Sequence, residues 1–474
     1  MKKKSDKVII LLLIIIAFCV LAWIVPQGNF EYGTYYAVDP ANAVRPGIFD
    51  IVSSFCSAIY TNLTDVLFIL LVGGCYGVLS KMKRYRKLVD KTADLVSRKP
   101  MVALLVSSFV MALITSMTSH ILFPFVFVPF IVTVFLRSTD RFTAFNASFG
   151  GILVGFMGLL FGSYSLVYLK ETTTLEINYL MGLKVFIFIV TYALYSLFAV
   201  LHLKKVGETE DTEYDLFETE ELDESKVKAS KKTKVWPFLV VFIITAIVLI
   251  LGHIDWRNSF DVKFFTEQYS KFQAAGKIGN VAVFSTLLGN TFRGFGDWNN
   301  LIYGGFIFFV VTAIFAMIEK MKIGDFFLRF EVGMKKVLRV AIIYALVLTV
   351  YVVIRQFPWV ATFVNKLFGE GKFNILTLLI IAFIASTFTV LPAYGTMVFG
   401  SYIAGTFAER VAESMLIWHI GQGFAMLVAP TSIMLLLALT YLDISYKEWL
   451  KHIWKFCLSF LCAILLILII KVYM

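Results

Sequence analysis

The segment His419-Ile-Gly-Gln-Gly-Phe-Ala-Met-Leu-Val-Ala-Pro-Thr-Ser432 decides how this chain must be read. It lies in an apolar run, residues 411–441, that is long enough to cross a membrane. Yet Gly421, Gly423, Pro430, Thr431 and Ser432 fall inside that run. Proline removes a backbone hydrogen bond from a helix interior, so the run reads as a helix broken near its middle. A matching segment stands in the first half. Gly155-Phe156 corresponds to Gly423-Phe424, and Ser163 and Thr431 each follow the respective glycine by eight positions. Pro124 and Gly155 are 31 positions apart (155 − 124), as are Pro392 and Gly423 (423 − 392). Thr118-Ser119 and Ser386-Thr387 fall in the same register. Four features at one offset imply a common origin for the two halves.

An interrupted apolar stretch precedes each broken helix. Residues 101–136 are broken at Ser116, Thr118, Ser119, His120 and Pro124, and residues 374–408 at Ser386, Thr387, Thr389, Pro392 and Gly395. Both are too long for one span, and Arg137 and Arg141 return the first to the cytoplasm, as a re-entrant hairpin requires. Irregular backbone at membrane depth is tolerated only where protein buries it or a polar cavity adjoins it. The expectation is therefore an all-α polytopic membrane protein built from two inverted repeats with re-entrant hairpins and broken helices. Such repeats hold substrate near the midplane, where half-helix N-termini face anionic groups.

Composition agrees with this class. The 474 residues are 59% hydrophobic and 16% charged, against roughly 25% charged in a soluble domain. Mean hydropathy is +0.82. The formal charge of +11 does not imply nucleic acid, because the basic residues gather at span ends, as in Lys2–Lys4 and Lys81–Lys87. They place the N-terminus inside a cytoplasmic membrane. Five cysteines without CxxC spacing argue against a zinc site or disulfide framework, and Phe18 spoils a lipoprotein box at Cys19. No small-x-small site precedes Pro26, so the first run reads as an uncleaved span.

The expected organisation is a first repeat, residues 1–203, with spans at 8–25, 66–80 and 180–203, a hairpin at 101–136 and a broken helix at 142–169. A charged cytoplasmic linker follows at 204–234. The second repeat, 235–474, has spans at 236–252, 301–318, 337–354 and 453–473, a hairpin at 374–408 and a broken helix at 411–441. Substrate-binding residues are expected at the breaks: Thr118, Ser119, His120, Gly162, Ser163, Ser165, Ser386, Thr387, Thr389, Gln422, Thr431 and Ser432. Hydroxyls donate hydrogen bonds there without the penalty of burying charge. Glycine, serine and threonine also serve plain helix packing, but their paired placement favours a site. Acids are nearly absent from the spans; Asp65 and Glu171 fall near span ends and read as interfacial, so no relay through buried carboxylates is expected. An imidazole at His120 or His419 could titrate or face an anion.

The run Gly421-Gln422-Gly423-Phe424 through Ala429-Pro430-Thr431-Ser432, with Ile444-Ser445-Tyr446-Lys447-Glu448-Trp449-Leu450, resembles the anaerobic dicarboxylate carrier family (DcuC/YfcC type). Trp23-Ile24-Val25-Pro26-Gln27-Gly28 and the Gly73-Gly74 span are similar to it too. The resemblance places the chain in the ion-transporter superfamily and implies an elevator-type transporter, C4-dicarboxylates or arginine/ornithine exchange as substrates, and a homodimer. Two departures fall on the expected site: Gln422 where that family usually has Asp, and Gly162-Ser163-Tyr164 where it usually has an Asn-Pro pair. The function expected is a secondary active transporter that moves a small organic anion or amino acid by alternating access. The alternatives are a basic amino acid or peptide antiporter of the same fold, or a membrane scaffold or sensor that no longer transports. HExxH, GxSxG and intramembrane Asp/His clusters are missing from the sequence, which argues against an enzyme. No cofactor is expected; a coupling cation such as sodium stays open. The partners are the lipid bilayer and a small molecule.

Overall fold

The computed structural model describes residues 6–118, 120–158, 160, 166, 168–206, 216–217, 235–278, 281–289, 293–298, 300–368 and 373–473. It is nearly all helical. The first half holds α1 (Asp6–Ile24), a hairpin of β1 (Gly28–Glu31) and β2 (Thr34–Ala37), α2 (Ile48–Thr61), α3 (Leu63–Leu79), α4 (Lys83–Arg98) and α5 (Pro100–Met117). A 3-10 turn, Phe123–Phe127, leads into α6 (Val128–Leu136), followed by α7 (Arg141–Phe145), a π turn, α8 (Gly151–Gly158), α9 (Leu169–Thr173) and α10 (Met181–Val206). The second half opens with α11 (Trp236–His253). An irregular segment follows, with α12 (Trp256–Phe260), α13 (Phe264–Ala274), β3 (Lys277–Ile278), β4 (Val281–Ala282) and α14 (Val283–Leu288). Then come α15 (Leu301–Ile318), α16 (Ile323–Gln356), α17 (Trp359–Phe368), α18 (Ile375–Thr389), α19 (Pro392–Thr406), α20 (Val411–Val428), α21 (Ile433–Tyr441) and α22 (Tyr446–Tyr473).

Among the described residues, eight helices are long and apolar enough to cross a membrane, and nine if α2 and α3, bent by 67° at Asn62, count as one broken span. Their outward faces carry large apolar side chains such as Leu13, Ile189, Ile244 and Leu466, as a lipid-facing surface requires.

One group of helices gathers around α16, whose membrane portion is almost wholly buried by α1, α2, α3 and α21. The α3 contact is the closest. A Cβ on Gly77 would lie 2.6 Å from the Arg329 carbonyl oxygen, and one on Gly333 only 2.3 Å from that of Gly73. Gly73 and Gly77 are one helical turn apart, so the pair offers the small-residue groove that lets two membrane helices touch backbone to backbone. α2 lies along α16 rather than at the membrane surface alone, with Ser54 Oγ donating to Gln356 Oε1 at 2.9 Å.

A second group contains the broken elements. α5 packs on α8, α18 packs on α20, and α8 meets α20. The order helix, break, proline-led helix, long helix, break thus recurs in both halves. The glycines paired by sequence nevertheless do different things. Gly155 admits the Ala112 carbonyl of α5, whereas Gly423 faces Met157 of α8; Gly421 is the one that abuts α18, at Ala382.

On the side of the Arg137–Arg141 turn, Asp140 caps α7 by accepting from the Phe142 and Thr143 amides at 3.2 and 3.1 Å, and it sits 3.0 Å from His202 Nε2. Burial pushes its carboxyl up, but hydrogen bonds from His202 and Thr143 outweigh this and hold it at about 2, below the usual 3.8. A carboxyl held low by folding stabilises the protein above its unfolded value. That contribution is lost as the pH falls through the folded value, between 3.8 and about 2. Asp140→Ala is expected to remove about 2 kcal/mol at neutral pH. Thermal unfolding in detergent should show the gap from wild type closing as the pH drops through that window.

Candidate functional site

The tip of the second hairpin has an unusual backbone. α18 ends at Thr389, and the chain reverses through Val390, at φ +66° and ψ −53°. Leu391 N–H then donates to the Thr389 carbonyl two residues back, at 2.7 Å. This is a γ-turn with a β-branched residue at its centre, a conformation that costs about 1–3 kcal/mol and persists only when its surroundings enforce it. Pro392 then opens α19, where its missing N–H leaves nothing unsatisfied.

Two side chains of the neighbouring broken helix enforce the turn. Gln422 Nε2 donates to the Pro392 carbonyl at 2.9 Å, and Thr431 Oγ1 donates to that of Thr387 at 2.5 Å. Gly395 makes room for this, since a Cβ there would stand 2.9 Å from Gln422 Nε2. Across the tip, α20 stops at Val428, and Ser432 caps α21, its Oγ accepting from Leu435 N–H at 3.3 Å and donating to the Met426 carbonyl at 2.6 Å.

Between tip and broken helix runs a crevice lined by Ser386, Pro392, Gln422, Met426, Thr431 and Ser432 among others. It holds about 190 Å³ of free space, all in slivers too thin for a water molecule. The hydroxyls of Ser386 and Thr389 are buried at the tip without a hydrogen-bond partner. Two helix N-termini, of α19 and α21, meet at this crevice, and each carries the partial positive charge of its unpaired amides. No carboxylate lines it among the described residues. On the far side, Thr389 and Tyr394 line a roomier cavity of about 260 Å³, shared with Asn29 and Glu31 of the β1 strand.

A buried polar line leads away from Gln422. The Thr396 hydroxyl lies 3.4 Å from both Gln422 Nε2 and His419 Nε2, the outer edge of hydrogen-bond range. His419 Nδ1 is 3.0 Å from the Tyr179 hydroxyl, and the Lys184 ammonium stands 4.6 Å from the Tyr179 ring centre while donating to the Ile177 carbonyl.

The expected residues divide into three groups. Ser386, Thr387, Thr389, Gln422, Thr431 and Ser432 assemble at the second hairpin. Thr118 and His120 do not join them: Thr118 forms a β-bridge with Ile254, and His120 faces Asp65 at 3.4 Å. Ser119, Gly162, Ser163 and Ser165 lie outside the described residues.

The sequence profile of the C4-dicarboxylate anaerobic carriers, DcuC, matches residues 5–473, nearly the whole chain. The protein belongs to the DcuC family. A search of curated proteins finds no match to this DcuC-family chain. Among solved structures it is similar to the YdaH transporter of Alcanivorax borkumensis, at 13% identity and TM-score 0.39, over 99% of this chain and 98% of that one. It is also similar to MtrF of Neisseria gonorrhoeae, described within a class of antimetabolite efflux pumps, at 11% identity and TM-score 0.37, over 98% and 94%. Membership makes the protein a multi-pass membrane transporter and not an enzyme.

Within this DcuC-family chain, Gln422 is a tether between the broken helix and the hairpin tip, a role a neutral amide fills without a buried charge. Sequence reasoning missed Thr396, Tyr179 and Lys184. A lysine just inside an apolar span was a legible signal; the other two carry none. It also placed Asp65 at the interface. Asp65 stands at the break between α2 and α3 and accepts a 2.5 Å hydrogen bond from Tyr344 in the buried part of α16.

Proposed function

We propose that this protein is a secondary carrier that moves a small dicarboxylate-class anion across the cytoplasmic membrane by alternating access, with its N-terminus inside. The observation that carries the reading is the crevice itself, where two helix N-termini converge among hydroxyls and an amide with no opposing carboxylate. Such a place attracts an anion, and it offers a guanidinium or ammonium group no carboxylate among the described residues. The recurrence of hairpin and broken helix in both halves supports an inverted-repeat, elevator-type architecture. The crevice is too thin for water, so substrate enters only when the tip lifts from α20 and α21; the strained γ-turn and its two tethers suit a part that must let go.

The test is counterflow. Vesicles containing purified protein are loaded with unlabelled succinate and assayed for exchange with external radiolabelled succinate, then with fumarate, malate and amino acids. Succinate exchange is the expected result, and failure of every compound would sink the proposal. Thr431→Ala should fold normally, losing about 1 kcal/mol. It should weaken succinate affinity about tenfold, while Thr431→Ser should restore it. Affinity equal to wild type in the alanine variant would remove Thr431 from the site.

A further inference from the structure

A second polar cluster lies at the tip of the first hairpin, among residues that do not line the crevice. Asp65, in the first turn of α3, accepts from Tyr344 Oη on one carboxylate oxygen at 2.5 Å and faces His120 Nε2 with the other at 3.4 Å. Both side chains are more than four-fifths buried, at 13% and 15% exposed. Leu122 N–H donates to His120 Nδ1 at 3.3 Å, so the imidazole proton sits on Nε2, directed at the carboxylate. His253, at the end of α11, packs against Phe123 of the same hairpin at 4.2 Å between ring centres and lies within electrostatic reach of His120. It is 1% exposed, with the Trp298 backbone beside its ring, and the buried hydroxyl of Thr118 is unpartnered.

We propose that Asp65 and His120 form the proton-binding site through which this carrier is driven. Among the described residues, the titratable groups seen at the hairpin tip are Asp65 from α3, Tyr344 from α16, His253 from α11 and His120 itself, and no lysine or arginine pairs with Asp65. With a neutral imidazole and an ionised carboxyl, the pair carries one negative charge in a poorly solvated place. One added proton brings it to zero without moving a heavy atom, whichever partner holds it. Its two halves belong to different elements of the fold. Asp65 and Tyr344 sit on α3 and α16, locked by the glycine contact, whereas His120 sits on the hairpin tip. If the hairpin moves in the transport cycle, proton affinity must differ between its positions, because a separated carboxylate loses the imidazole and a separated imidazole loses the carboxylate. A ligand whose affinity differs between two states biases the equilibrium between them, which is the requirement for coupling.

This inference rests on the carrier reading, and the experiment separates the two. In vesicles showing succinate counterflow, an imposed pH gradient should drive succinate accumulation by wild type. In Asp65→Asn, gradient-driven accumulation should be lost while exchange remains measurable. His120→Gln, which still offers an N–H to Asp65 but takes up no proton, should lose accumulation too, and it carries the test if the first variant does not fold. Undiminished accumulation in these variants overturns the proposal, as does a wild type that exchanges succinate but ignores the gradient. If wild type shows no counterflow, the carrier reading is what fails. The infrared difference spectrum between acid and alkaline protein then decides the proton site alone: a buried-carboxyl or imidazole band that is missing from both Asp65→Asn and His120→Gln supports it, and a spectrum unchanged in both variants rejects it.

Discussion

Gly333→Val is expected to yield protein that unfolds well below the wild-type temperature. The reason is the absence of anywhere for the side chain to go. Its Cβ would lie 2.3 Å from the Gly73 carbonyl oxygen and 2.8 Å from Gly77 Cα, both backbone atoms of a packed helix. Overpacking against side chains costs about 1–3 kcal/mol because they can repack. Backbone cannot, so α3 and α16 must separate along a seam that also carries the Tyr344 to Asp65 bond. We expect a loss of about 3 kcal/mol or more, at the upper end of that range. Gly324→Val, on the same helix where a Cβ meets nothing within 4 Å, is the control and should be tolerated. Thermal unfolding of both variants in detergent reads the difference, and equal transitions would refute the close-contact account.

Gln422→Glu is expected to have the largest effect on transport. The carboxylate would stand where the amide now donates to the Pro392 carbonyl at 2.9 Å, putting acceptor against acceptor and leaving a buried charge with the Thr396 hydroxyl nearby but no cation to pair with. Unpaired buried charges destabilise by about 3–5 kcal/mol. The same charge repels an anion approaching the two helix N-termini. Succinate affinity should fall by more than tenfold at neutral pH, over 1.4 kcal/mol. The sign of the pH dependence follows from the chemistry. A protonated glutamic acid regains an O–H that can donate to Pro392, so the defect should shrink as the medium is acidified. Counterflow measured across pH checks this; wild-type affinity at neutral pH, or a deficit that does not change with pH, would mean that the tether does not govern the tip.

The breaks at residues 389–392 and 429–432 were legible because proline, glycine and hydroxyls inside an apolar run contradict a continuous span wherever they occur. Their mutual contact was partly legible too, since paired irregularities need a common polar refuge. The partners of Asp65 were not legible, for a definite reason. The apolar run begins at Val66, which puts Asp65 at a span end by length alone, and nothing local indicates that α2 continues the path and lies against α16. The partners of Thr118 and His120 were not legible either: similar residues at equivalent positions need not make the same contacts.

The sequence by itself determined that this chain lives in a bilayer, that it is nearly all helical, and that proline interrupts its second hairpin and second broken helix. Each of those properties is written residue by residue, in apolar length, in proline and glycine, and in basic residues at span ends, and each answers to solvent and backbone alone. Only the tertiary structure decided that Gln422 and Thr431 hold the tip, that Gly155 and Gly423 touch different helices, and that Asp65 meets His120 and Tyr344. Those facts depend on how closely helices distant in sequence approach. That approach is set by which faces carry glycine and by the packing of the whole assembly, neither of which local pattern encodes.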